Sequence, residues 1–253
     1  MDEIKYIDER FNAKEELSLK TKLSLYTHLS GRHIISLEYI CKRLFEIENI
    51  AKYDNDKMYR SEHTALSHSA VILSACLLES TINEFFCDTV YAPSNLKEVS
   101  DEKISLIRGM WELGVPKTAN YKILDKYQIA LTLLNKPIFS KGNDSAYQNA
   151  NLLIKLRNQI IHSEAEITTD DKTDKTESAK FQKSLASKFK VKKGTEKIGN
   201  PFFPDKVFGY GCAEWSAKSA VDFIKEFYSR AGLRSELDFL NQMIDHNNLS
   251  TFK

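Results

Sequence analysis

At 253 residues the chain is long enough for one large domain with a substantial buried core. Nine glycines and five prolines make up about 5.5% of it, roughly half the ~12% usual in soluble proteins, which excludes turn-rich sandwiches, propellers, collagen and low-complexity chains. With 36 basic and 35 acidic residues the net charge is +1, so no global field draws the chain to nucleic acid or membrane, and any such binding must be local.

The N-terminal MDEIKYIDER is charged and has no apolar core of a signal peptide, and no run approaches the ~18 apolar residues that span a bilayer. A cytoplasmic protein without membrane partners is expected. From Arg32 to Ala92 there is no glycine or proline. Within that stretch Ile34, Leu37, Ile40, Cys41, Leu44, Ile47 and Ile50 recur at three- and four-residue intervals, predicting an amphipathic helix over His33 to Tyr53. Glu62 to Tyr91 carries the nearly continuous Val71, Ile72, Leu73, Ala75, Cys76, Leu77 and Leu78, the pattern of a helix at the centre of a bundle.

Ser100 before Asp101 and Glu102 predicts the start of a helix through Trp111 to Gly114, with Gly109 as an internal weak point. Tyr121 to Leu134 is a further helical run, NKPIFSKGND a loop, and Asp144 the cap of a helix reaching His162. Residues 164–200 form a charge-segregated insert: 164–177 hold six acids and two lysines, and 178–197 hold seven lysines and one glutamate. Its first half is expected to be a solvated loop, its second a short amphipathic turn with Phe181, Leu185 and Phe189. The breaker cluster GNPFFPDKVFGYG is expected to be an ordered lid or buttress. A helix from Trp215 to Gly232 and a last short one with Leu237, Leu240 and Met243 complete the chain. The whole predicts an all-α fold in a single domain, 1–253.

Cys41, Cys76, Cys87 and Cys212 form no CxxC pair, so buried free thiols are expected rather than a zinc site or a disulfide framework. No GxGxxG, P-loop, HExxH, GxSxG or EF-hand pattern is present, and no cofactor or metal is implied. His28, His33, His63, His68 and His246 show no ligand spacing and are expected at the surface or satisfied in the core. His162 stands apart, in LRNQIIHSE. Four residues from both Leu153 and Ile161, Arg157 places a permanent cation in an apolar stripe, where it must be paired, snorkel or serve a function. An Arg-Asn pair followed by His at that spacing has a chance expectation of roughly 0.01 in such a composition.

RNQIIH resembles the RNxxxH form of the Arg-x4-6-His motif of HEPN domains, helical bundles found in bacterial toxins, antiphage systems and several ribonucleases. SHSAVILSACLLESTINEFF is similar to the long central helix before the motif helix in such proteins. NPFFPDKVFGYGCAEWSAKSAVDFIKEF resembles the C-terminal signature of uncharacterised bacterial proteins with the same motif. The resemblance implies a HEPN-like bundle with a long central helix. It also implies a homodimeric, metal-independent endoribonuclease whose Arg157 and His162 meet across the dimer, in a toxin or antiphage setting with a possible partner protein or antitoxin. His162 would be the acid/base, Arg157 the phosphate clamp, Asn158 a positioning residue, and Glu79 a partner of Arg157 from the apolar helix. Lys180, Lys183, Lys188, Lys190, Lys192 and Lys193 could contact RNA. One family branch has a tyrosine two residues after the histidine, a target for nucleotide modification; Glu164 stands there instead. Two other readings remain open from the residues: a catalytically silent module binding RNA, a nucleotide or a protein, and a buried Arg157–Glu79 ion pair of purely structural meaning.

Overall fold

A computed structural model describes residues 26–117, 121–162, 177–196, 199 and 202–234. Seven α-helices lie in the described residues: α1 Ser30–Asn49, α2 Lys57–Tyr91, α3 Asp101–Glu112, α4 Ile123–Leu133, α5 Ser145–Ile161, α6 Glu177–Ala186 and α7 Tyr210–Ala231. No strand is found among these residues, and the fold is all-α.

The 35-residue α2 is the axis of the bundle. It packs against α1, α3, α4, α5 and α7, while α7 also contacts α1, α4 and α5. An 18-residue stretch of α2 reaches a mean hydropathy of 1.4, long and apolar enough to cross a membrane, so the expectation that no segment approaches such a span does not hold. Here its apolar faces are taken up by neighbouring helices. Asp56 starts it earlier than the apolar pattern predicted, because its carboxylate accepts hydrogen bonds from the Met58 and Tyr59 amides at 2.7 and 3.4 Å.

Aromatic rings fill the centre. Phe85 on α2 meets Phe227 on α7 edge to face, Tyr127 of α4 packs edge-on against Phe223 and Phe227, and Phe86 stacks on Trp111 of α3 at 5.2 Å. Burying one such side chain stabilises the fold by about 1.5–3 kcal/mol. The Tyr127 hydroxyl donates to the Leu78 carbonyl at 2.7 Å, which offsets its desolvation.

The NKPIFSKGND loop is ordered rather than merely connective. Gln128 holds Phe139 by both its backbone amide and its carbonyl at 2.9 Å, and Arg230 of α7 lies over the Phe139 ring. Asp144 occupies the position before α5 but does not cap it; its carboxylate accepts from the Ser140 amide and from Arg230. Ser100 likewise precedes α3 without a side-chain cap. Gly109 is harmless inside α3, since a Cβ there meets nothing within 4 Å.

The first part of the lysine-bearing half of the insert forms a helix, α6, with Leu185 completely buried, and Lys188–Lys193 follow it outside the helix. The breaker cluster is a buttress: Val207 is buried, and Phe208 stacks on His68 at 4.1 Å. The acidic stretch 164–176 and the short helix expected around Leu237, Leu240 and Met243 lie outside the described residues.

Candidate functional site

The Arg157 stripe argument leads to a cleft of about 670 Å³ between α2, the entry to α4 and the middle of α5. Its α5 wall carries Tyr147, Asn151, Ile154, Lys155, Arg157 and Asn158; Tyr121, Lys122 and Asp125 face it from the α4 entry, with Lys141 and Glu79 at the rim. Four cations against two carboxylates give the lining an excess of positive charge.

Arg157 is half-buried and makes no hydrogen bond or ion pair among the described residues. The expected pairing with Glu79 is absent. Glu79 is exposed, and its carboxylate instead approaches the Lys126 ammonium at 3.7 Å. Lys126 is 4% exposed and donates to the Asn83 amide oxygen at 3.0 Å. A lysine from α4 thus takes the place that Arg157 was expected to fill. The Arg157 charge does reach Cys76: burial pushes that thiol up, and the guanidinium partly counters the shift.

His162 follows the last residue of α5, with its amide donating to the Asn158 carbonyl at 2.8 Å. The helix therefore ends at the motif histidine. Five residues of helix give about 7.5 Å of rise and about 140° of rotation. His162 is accordingly exposed and does not line the Arg157 cleft. Asn158 does line it; the contact it makes within the motif is through its backbone carbonyl, and its side chain has no hydrogen-bond partner among the described residues.

The lysine run goes elsewhere. Lys180 pairs with Glu177 at 2.9 Å on α6, and Lys183 is exposed on the same helix. Lys188, Lys190 and Lys193 line a second cleft against α7, while Lys192 is tied by its amide to the Lys206 carbonyl. None of the six borders the Arg157 cleft. The buttress also packs beside the second cleft rather than the first.

Among the other histidines, His63 is buried against Glu48 at 2.9 Å, His28 pairs with Asp88 at 3.0 Å and His68 bonds the Thr64 carbonyl at 2.8 Å; His246 lies outside the described residues. Cys41 and Cys212 are buried thiols, each pushed up to about 12 chiefly by burial, whereas Cys76 and Cys87 are only partly covered. Sequence reasoning missed Lys126 and the tyrosine and lysine lining of the cleft. A signal existed for Lys126, a cation between Ile123, Tyr127 and Ala130 on an apolar stripe, like Arg157 on its own helix. For Tyr121, Lys122 and Lys141 none existed, because only the tertiary fold brings them to α5. No family model, curated protein or solved structure matches the chain.

Proposed function

We propose that this chain is a metal-independent endoribonuclease of HEPN type, acting as a homodimer in a bacterial toxin or antiphage setting. The observation that carries the reading is Arg157: a half-buried guanidinium in a basic cleft, with Glu79 engaged by Lys126 instead. A structural ion pair would have used that carboxylate. An uncompensated arginine fork facing a cleft suits a phosphodiester, whose non-bridging oxygens it grips in two places.

The chemistry follows from the two motif side chains. RNA lies along the cleft with phosphates near Lys122, Lys141, Lys155 and Arg157, and Tyr121 offers a ring to a base. His162 from the second protomer takes the proton of a ribose 2′-OH; the 2′-oxygen attacks phosphorus, the bond to the 5′-oxygen breaks, and the leaving oxygen receives the proton that the imidazolium gives back. The products are a 2′,3′-cyclic phosphate and a 5′-hydroxyl. Arg157 neutralises the charge that develops on the phosphoryl oxygens. An imidazole is the side chain suited to moving a proton near neutral pH.

A silent RNA-binding module is the second reading, favoured by the separation of His162 from the Arg157 cleft within one protomer. Purified wild type, Arg157→Ala and His162→Ala, each incubated with single-stranded RNA in EDTA, separate the two. The nuclease reading expects cyclic-phosphate products from wild type and a drop of at least about 100-fold in either variant, within the usual range for losing an acid/base or a charge-stabilising group. RNA retained by wild type without cleavage, and released by Arg157→Ala, identifies the module.

A further inference from the structure

The two carboxylates that line the Arg157 cleft are not equivalent. Glu79 stands at the rim and is drawn to the Lys126 ammonium at 3.7 Å. Asp125 lies in the first turn of α4, half-buried, and its side chain makes no hydrogen bond or ion pair among the described residues. None of the four cations of the lining takes it up. A free carboxylate works against a cleft that only grips phosphates, because it repels each phosphate that approaches. It calls for a different part of the RNA.

Tyr147 supplies a second unanswered group in the same cleft. The residue is 6% exposed, with its ring packed against Phe139 and Phe223. Its hydroxyl has no hydrogen-bond partner among the described residues and is not sealed off from solvent, so it opens onto the cleft that Tyr147 lines. Buried hydroxyls ordinarily find a partner within the protein. Burial, and after it the charge of Asp125, push this hydroxyl up, so it keeps its proton and serves as a donor. The cleft therefore offers a carboxylate that only accepts and, within reach of its field, a hydroxyl that donates.

Among the RNA bases this pattern has one full complement. A carboxylate presents two parallel acceptors, and the Watson–Crick edge of guanine presents two adjacent donors, N1–H and N2–H₂, with the O6 acceptor beside them. Adenine, cytosine and uracil each place an acceptor next to a single donor group, which would set a lone pair against an aspartate oxygen. Ten residues of α5, about 15 Å, separate Tyr147 from Arg157, so base reading and phosphate gripping fall on neighbouring nucleotides.

We infer that the Arg157 cleft selects guanine: Asp125 accepts from N1–H and N2–H₂, Tyr147 donates to O6, and the Tyr121 ring stacks on the base. This selectivity rests on the reading of the cleft as an RNA site, and it holds for a nuclease and for a silent RNA-binding module alike.

Fluorescence anisotropy of the full-length protein with labelled 2′-O-methyl uridine twelve-mers, each carrying one central G, A, C or U, tests it. Methylation removes the attacking hydroxyl, so binding is read without cleavage. The G oligomer binds at least tenfold more tightly than the other three, as a bidentate base contact provides. Asp125→Asn abolishes that advantage and brings adenine at least level with guanine, since an amide sets one donor beside one acceptor. Tyr147→Phe cuts the advantage several-fold at an unchanged melting temperature, and Lys122→Ala weakens all four oligomers alike. Guanine selection is overturned by equal affinities for the four oligomers, by binding of none of them, or by an Asp125→Asn variant that keeps the preference or weakens all four equally. The same oligomers without the methyl groups separate this inference from the ribonuclease reading. Binding that prefers G without any cleavage leaves the base site standing and removes the nuclease, whereas cleavage without base preference does the reverse.

Discussion

Arg157 and Lys126 are both cations set into apolar helical stripes, and their surroundings give them opposite roles. Lys126 is buried, bonded to Asn83 and close to Glu79, so its charge is consumed inside the protein. Arg157 has no such partner among the described residues and faces a cleft. Replacing Lys126 by Ala should therefore cost about 1–3 kcal/mol in a urea unfolding experiment, because it removes a buried side chain and strips the half-buried Asn83 amide of its donor. Arg157→Ala should shift stability by no more than about 0.5 kcal/mol while abolishing RNA binding, a split that only a functional arginine produces. Asp144 gives a pH signature of another kind. The Ser140 amide, then Arg230, hold its carboxyl below the usual carboxylate range. A lowered folded value means that its contribution is complete above the unfolded carboxylate value and is lost as pH falls through the lowered one. Urea midpoints of wild type and Asp144→Asn should differ at pH 7 and converge in acid; a difference that stays constant down to strong acid would remove Asp144 from this role. At this scale the motif residues were legible because a cation in an apolar stripe demands an explanation. Their partners were not, since Glu79 could reach a cation on α4 or on α5 and only the packing of both against α2 decides between them.

Helix α2 was legible almost end to end, because an unbroken apolar run without glycine or proline has few alternatives to a central helix. Its first turn was missed because Asp56 lies outside the apolar pattern and acts through a local capping bond. Helix α6 was foreseen only as a turn: three apolar positions among many lysines are a weak signal, and burial of Leu185 supplies what the local sequence lacks. The GYG of the buttress illustrates a requirement that sequence states without explaining. Gly209 and Gly211 are needed not for an unusual backbone angle but for room, as the segment Lys190–Lys193 crosses directly over them. Gly211→Ala should push that segment off α7 at a cost of about 1–3 kcal/mol, the usual range for overpacking. Limited trypsin digestion checks it: cleavage at Lys188–Lys193 should accelerate in the variant before the bundle itself is cut, and an unchanged digestion pattern would mean that the segment is not held there.

Taken whole, the molecule is a bundle around α2 in which α5 separates two clefts, one holding the motif arginine and the other the lysines of the insert. The motif and the lysine run, each read from the sequence as a possible RNA contact, lie at separate clefts because the lysine segment is anchored to α1 and α7 by Glu48. The same geometry keeps His162 out of the Arg157 cleft, so a single protomer holds half of the proposed catalytic pair at each place. The proposed reaction therefore requires two protomers to exchange halves. Mixing Arg157→Ala and His162→Ala chains after unfolding and refolding them together tests this most directly. With random pairing, half of the dimers are mixed, and each mixed dimer contains one complete site out of two. RNA cleavage in EDTA should therefore recover to about a quarter of the wild-type rate, although each variant alone is inactive. A mixture as inactive as its components, beside an active wild type, would contradict the shared site, and a wild type that cleaves no RNA would contradict the ribonuclease itself.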